Sequence, residues 1–236
     1  MIGRLLLFLV SIGTLTLPSD AAKAQAAERA PDTMAARMLA CASCHGADGE
    51  GTSDVYFPRL AGKPAGYLYH QLVAFRDGRR RYPPMNYLLE FLPDVYLQKM
   101  ADHFASLRPP FPAPAVPTVS PEILSRGETL VKEGDSKRGV PPCSACHGAA
   151  LGGMEPAIPG LLGLRASYIS AQLGGWRYGT RTAAAPDCMQ IVAGLLTEDD
   201  VKAVAAYLSS RPAPKDPSFA PRGSLPMPLE CGSQPR

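Results

Sequence analysis

Apolar positions along this chain fall into short helical stretches, and the stretches come in two matching sets. Between Thr33 and Ala40, Met34, Met38 and Leu39 form a stripe that predicts a short helix. Leu68, Leu72 and Phe75 recur on one face of a second helix, Tyr67 to Phe75, which Gly78 stops. A third helix runs from about Pro93 to Leu107, with Leu97, Met100, Ala101 and Phe104 on its buried face. After Ser120-Pro121, a good helix start, the set begins again. Tyr168, Gln172, Leu173 and Trp176 answer Tyr67, Gln71, Leu72 and Phe75 at an offset of 101. So do Pro159 and Leu161 for Pro58 and Leu60, and Gly179 and Arg181 for Gly78 and Arg80. The final helix, Thr197 to Ser210, repeats the pattern of Leu97 to Phe104 at an offset of 104, with Val201, Val204, Ala205 and Leu208. Agreement in order and spacing across independent elements marks a tandem duplication of a small helical unit.

The segments outside the two sets are of another kind. Leu5 to Leu17 is an apolar run preceded by Arg4 and followed by the small-residue site Ala24-Gln25-Ala26, the order of a secretory signal peptide. The run is short for a membrane span, an uncleaved anchor being the alternative. No later segment is apolar enough to cross a bilayer, so the mature protein is expected to be soluble, with no transmembrane span. Arg108 to Pro117 holds five prolines in ten residues and predicts an extended, stiff spacer. The expected organisation is a signal peptide (1–26), a first all-α domain (27–108), a Pro-rich linker (109–119), a second all-α domain (120–211) and a Pro-rich tail (212–236).

Charge removes one class of function. The 236 residues carry a formal net charge of +3, which falls to +2 if cleavage follows Ala26. No basic run interleaves with aromatics, so no nucleic-acid partner is expected. The basic run Arg79 to Arg81 is open to two readings, a docking patch for an acidic redox partner or a solvated loop.

Each set contains one motif that carries chemistry. Cys41-Ala42-Ser43-Cys44-His45-Gly46 recurs as Cys143-Ser144-Ala145-Cys146-His147-Gly148, 102 positions on. Two thiols three positions apart followed by an imidazole is the attachment signature of a c-type haem. One helical turn presents both sulfurs to the porphyrin vinyl groups, and the next residue offers a ring nitrogen to the iron. Zinc sites, redox dithiols and structural disulfides use similar spacings. A zinc pair would have to close a loop of nearly a hundred residues, and a redox dithiol leaves the repeated histidine unexplained. The expected cofactor is therefore haem c, two per chain, with His45 and His147 as proximal ligands. Met85 and Met189 are 104 apart, like the helices that follow them, and are expected as the opposite ligands, each delivered by a loop between two helices. His70 and His103 are answered by Ala171 and Tyr207, which argues against repeated bis-histidine ligation and leaves a bis-histidine first haem, through His70 or His103, as the alternative to Met85. Phe75 and Trp176 are open to packing beside the porphyrin or in ordinary core. Arg80 and Arg181 are open to pairing with a propionate or to lying exposed in loops. The two cysteines left over, Cys188 and Cys231, are expected to form a disulfide in an oxidising compartment, with two unpaired thiols as the alternative.

Taken together, the Cys-x-x-Cys-His-Gly units, Pro-x-Leu, Tyr-x-x-x-Gln-Leu, Phe/Trp-x-x-Gly-x-Arg and the paired methionines resemble the dihaem cytochrome c4 family over roughly residues 33 to 211. The resemblance implies two tandem cytochrome c-like domains that pass single electrons in the periplasm, with a terminal oxidase or a dehydrogenase as redox partner. It implies haem attachment at Cys41, Cys44, Cys143 and Cys146 and iron ligation by His45, Met85, His147 and Met189. A free carrier is the expected role, a cytochrome subunit of a dehydrogenase complex the alternative, and a dihaem peroxidase-like enzyme a third. The arginine-rich loop around Met85 and the tail ending in Cys231 depart from the shared pattern.

Overall fold

Helices account for both sets of stripes in the computed structural model, which describes residues 31–52, 57–214 and 216–234. The signal-peptide segment lies outside the described residues. In the first set, α1 (Met34–His45), α2 (Ala65–Arg76), α3 (Pro83–Leu89) and α4 (Asp94–Ser106) follow one another. In the second, α5 (Pro121–Lys132), α6 (Cys143–His147), α7 (Ala166–Arg177), α8 (Cys188–Leu195) and α9 (Glu198–Ser209) do so, with a short antiparallel ribbon, β1 (Gly153–Met154) and β2 (Ile158–Pro159), after α6. The architecture is that of an all-α protein.

Local chemistry fixes the helix ends. Thr33 caps α1 by accepting from the Ala36 N–H at 3.1 Å, and the helix runs on past Ala40 through the whole first motif. Thr197 and Asp200 form a reciprocal capping box at the start of α9, satisfying two of the helix's free backbone donors.

The loops expected to carry Met85 and Met189 are corrected by the structure: both methionines lie in short helices, α3 and α8. Pro83 and Pro84 occupy the first two helical positions, where a missing N–H costs nothing and the fixed φ favours the helix. Asp187 starts α8 by accepting from the Gln190 N–H.

Each set builds its own apolar cluster. The first joins Met38, Leu68, Phe75, Leu89, Leu97 and Phe104, with Cys41 and Met85 packed against it. The second joins Leu130, Val131, Ile169, Leu173, Val204 and Leu208, with Cys143, Trp176 and Met189 against it. Helices α5 and α9 cross closely at Gly127, where a Cβ would collide with the Ala203 carbonyl oxygen.

The extended linker is also fastened to its neighbours. Arg59 donates to the carbonyls of Pro109 and Pro110 at 2.6 and 2.9 Å and lies 4.1 Å over the Phe111 ring. The Ala115 N–H donates to the Ser209 carbonyl at 2.9 Å. From Thr33 onward the chain forms one compact unit. The tail is fastened too. Ala220 exchanges backbone hydrogen bonds with Gly153 and Glu155, Gln234 bonds Ala157 and Glu155, and Cys188 is joined to Cys231.

Candidate haem sites

The second set gathers its chemistry around one apolar cavity. Cys143, Cys146 and His147 enter from α6, Met189 from the first turn of α8, and Leu161, Leu173, Trp176 and Leu208 supply the walls. Burial pushes the Cys143 thiol up to about 11 and raises Cys146 as well. A redox dithiol depends on a depressed thiol pKa, the opposite of what this cavity builds. In the first set, Cys41 and Met85 pack against the same apolar cluster from α1 and α3, and burial, then the neighbouring Cys44, raises the Cys41 thiol.

Both histidines are held in one orientation by the backbone. His45 Nδ1 lies 2.9 Å from the Pro58 carbonyl oxygen, and His147 Nδ1 lies 2.7 Å from that of Pro159. A neutral imidazole must donate from Nδ1 to make this bond, which leaves the Nε2 lone pair free for a metal. Burial lowers the pKa of both rings, favouring that neutral form. The glycine after each histidine has φ of +84° at Gly46 and +83° at Gly148, a region that favours glycine, so the chain turns away at once. Pro58 and Pro159 stand at equivalent places in the duplicated pattern, but their carbonyls carry the function, and a carbonyl leaves no mark on residue type.

Where the two sets meet, they exchange hydrogen bonds symmetrically. Arg80 donates to Gln71 at 3.0 Å within its own set and to Gln172 at 2.6 Å in the other. Arg181 donates to Gln172 at 2.7 Å and crosses to Gln71 at 2.8 Å. Tyr67 and Tyr168 each accept from the opposite arginine at 3.2 Å. Backbone bonds from Arg81 to Thr180 and from Thr182 to Arg79 clip the two loops together. Arg181 lies 3.8 Å over Trp176, and Arg80 4.5 Å over Phe75. The exposed-loop reading of Arg181 is therefore corrected: it is buried, because its guanidinium is the joint between the sets.

This joint has an excess of positive charge. Lys63 is buried beside it, and burial lowers its pKa, with Arg59, Arg80 and Arg181 adding to the effect. Burial, then Arg80, lowers Arg181 likewise. Burial alone would raise the Tyr67 phenol, but Arg181, Arg80 and Lys63 hold it at about 8. Among the described residues, no carboxylate forms an ion pair with Lys63, Arg80 or Arg181. Buried cations require counter-charge. The Trp176 indole N–H is buried without a partner. An anion arriving here on an apolar ring would satisfy all of these groups, and a haem with its propionates is such a group. The residues fit it.

Two further methionines, Met100 of α4 and Met154 of β1, are core, Met154 being fully buried. His103 lies on the outer part of α4, and His70 lines the second cavity from α2 without a partner for its Nδ1. Arg79 bonds Asp77 at 3.0 Å. A role for Lys63 and for the crossed glutamines was missed from sequence, although Gln71 and Gln172 answer each other at the common offset, which is a readable signal.

Comparison with known proteins agrees with this construction. A cytochrome c family model matches residues 32–92. The thiosulfate dehydrogenase electron acceptor of Stutzerimonas stutzeri is 38% identical over 174 residues, covering 73% of this chain and 79% of that protein. Cytochrome c4 of Pseudomonas aeruginosa is 35% identical over 175 residues, covering 73% and 84%. The solved thiosulfate dehydrogenase of Marichromatium purpuratum superposes with a TM-score of 0.66 at 36% identity over 73% of this chain, and this chain spans only 36% of that one. With its fold, its duplicated attachment motif and these relatives, the chain belongs to the cytochrome c4 family, electron-transfer proteins with covalently bound haem c.

Proposed function

We propose that the chain carries two haem c groups in the periplasm and relays single electrons from a dehydrogenase to a further acceptor. Cys41 and Cys44 would attach one haem, with His45 and Met85 as iron ligands; Cys143 and Cys146 would attach the other, with His147 and Met189. The observation that carries this reading is the convergence of Cys143, Cys146, His147 and Met189 on one apolar cavity, with a buried cationic joint beside it. When bound, haem iron would supply a one-electron couple, and ligation by a histidine and a methionine would place it at high potential. The chain's own part is to hold each imidazole neutral through Pro58 or Pro159, exclude water with apolar walls, and match buried carboxylates with Lys63, Arg80 and Arg181.

A dehydrogenase is favoured as donor because two of the similar proteins are, by name, an acceptor of thiosulfate dehydrogenase and a thiosulfate dehydrogenase itself. A terminal oxidase is the acceptor we propose downstream. A peroxidase would need an iron with an open position, and both sets offer a methionine instead. The test is potentiometry of Met85→Ala and Met189→Ala beside wild type, with haem counted per chain. Each variant is expected to lower one potential and to lose half of the methionine-to-iron charge-transfer absorption. Unchanged potentials in either variant would overturn that ligand pair.

A further inference from the structure

The two methionine helices differ on their outer faces. Met85 and the buried Leu89 point α3 at its core. Its other face and the turn into α4 present Tyr87, Leu88, Phe91 and Val95, exposed by 78, 63, 86 and 69%. The 104-residue offset maps these onto Ile191, Val192, Leu195 and Asp199. There Ile191 and Leu195 are only 49 and 38% exposed, Val192 lines the cavity, and the fourth position is charged. The tail adds a wall on that side: Leu229, Cys231 and Ser233 line the second cavity, and Cys231 is bonded to the residue before Met189.

We infer that the corner formed by α3 and the start of α4 is the docking face for the redox partner, and that exchange with it runs through the first haem. The inference rests on the electron-transfer reading above. Two large aromatics with a leucine and a valine expose apolar area on the order of 500 Å², the size of a functional patch on a monomer. A permanent dimer buries roughly 2,000 Å² or more in total, whereas weak electron-transfer encounters stay below about 1,200 Å². The patch therefore suits a transient partner with a matching apolar face. Its position suits the role as well, because only the thickness of α3, roughly 10 Å, separates it from the Met85 side of the site.

The test uses the full haem-loaded chain, with thiosulfate dehydrogenase and thiosulfate as the protein reductant and ascorbate as the small one. In stopped flow, the uncharged double variant Leu88→Gln/Phe91→Gln is expected to be reduced by the enzyme at least tenfold more slowly than wild type. Its reduction by ascorbate and both its potentials should stay unchanged, which separates docking from damage. The counterpart Ile191→Gln/Leu195→Gln should keep the wild-type rate with both reductants. A wild-type rate in the first variant, or equal slowing in the second, overturns the docking face. Sedimentation showing a wild-type dimer that the first variant breaks assigns the patch to a second copy and also overturns it. A wild-type chain that carries haem but is not reduced by the enzyme sinks the dehydrogenase reading itself, a result distinct from the others.

Discussion

Replacing Cys188 and Cys231 together by serine is expected to free the tail while leaving the helices folded. The bond closes a span of 43 residues. Chain entropy puts the stabilisation from such a loop at about 4 kcal/mol. Most of that should act on the tail, because the second apolar cluster draws all its members from residues before Arg211. Besides that bond, hydrogen bonds at Ala220, Gly232 and Gln234 help to hold the tail, each worth about 1 kcal/mol net. They must order more than twenty residues, at about 1–2 kcal/mol of backbone entropy for each. Native-state hydrogen exchange reads the outcome residue by residue. The amides of Ala157, Ala220 and Gly232, bonded only through the tail, should exchange up to about a thousandfold faster, the equivalent of 4 kcal/mol. Those of Val204 and Leu208 should change little. Unchanged protection at Ala220 and Gly232 would show that the tail needs no clamp. Equal loss at Leu208 would show that the bond supports the whole fold, and either result refutes the reasoning.

Three further outcomes follow from the structure. Gly127→Ala should destabilise the fold by about 1–3 kcal/mol in denaturant titration, despite alanine's better helix propensity, because the added Cβ meets the backbone carbonyl of Ala203. Asp200 is buried; that alone would raise its carboxyl, but Arg138, Thr197 and Arg126 hold it at about 2. A depressed pKa contributes stability that is present above the unfolded value near 4 and is lost as pH falls through 2. Asp200→Asn should therefore cost about 2 kcal/mol at pH 7 and flatten the acid limb of the stability curve between pH 4 and 2. Arg181→Met should lower the reduction potentials by tens of millivolts, since removing a buried cation favours the ferric state; potentiometry that finds them unmoved would detach the joint from the haems.

How far the sequence could be read depended on which groups carry each feature. The repeated Cys-x-x-Cys-His-Gly units and the final helices announce themselves by residue type and spacing, and the structure puts the units on α1 and α6; the Cys188–Cys231 bond, expected only because two cysteines were left over, is present. Met85 and Met189 could be paired by their common offset, but not placed in helices, because Pro83-Pro84 reads as a breaker unless its first-turn position is known. The extended geometry of Pro109 to Pro117 is visible in composition, whereas its carbonyls meeting Arg59 are not. The crossed bonds of Arg80 and Arg181 lie between segments about a hundred residues apart, where periodicity has no reach.

On the two-haem reading, that joint should also make the association of the two halves depend on the haems. Lys63 and Arg181 are buried, Arg80 is half-buried beside them, and the two arginines share the same pair of glutamine oxygens. Two unit charges about 4 Å apart repel by roughly 4 kcal/mol at the effective dielectric of such sites, and neutral amides offset only part of that. Without propionates the arginines would be drawn apart toward water, and the antiparallel contact of Arg80 with Arg181 would open with them. A chain with all four motif cysteines changed to serine should therefore lose amide protection at Arg81 and Thr182, whose backbone N–H groups donate across between the halves. Helix α9, tied to α5 by the Gly127 crossing and by Arg126 to Asp200, should keep more of its own. If the crossing amides stay as protected without haem as with it, glutamine and tyrosine suffice as partners, and the cationic joint is not the place where the propionates sit.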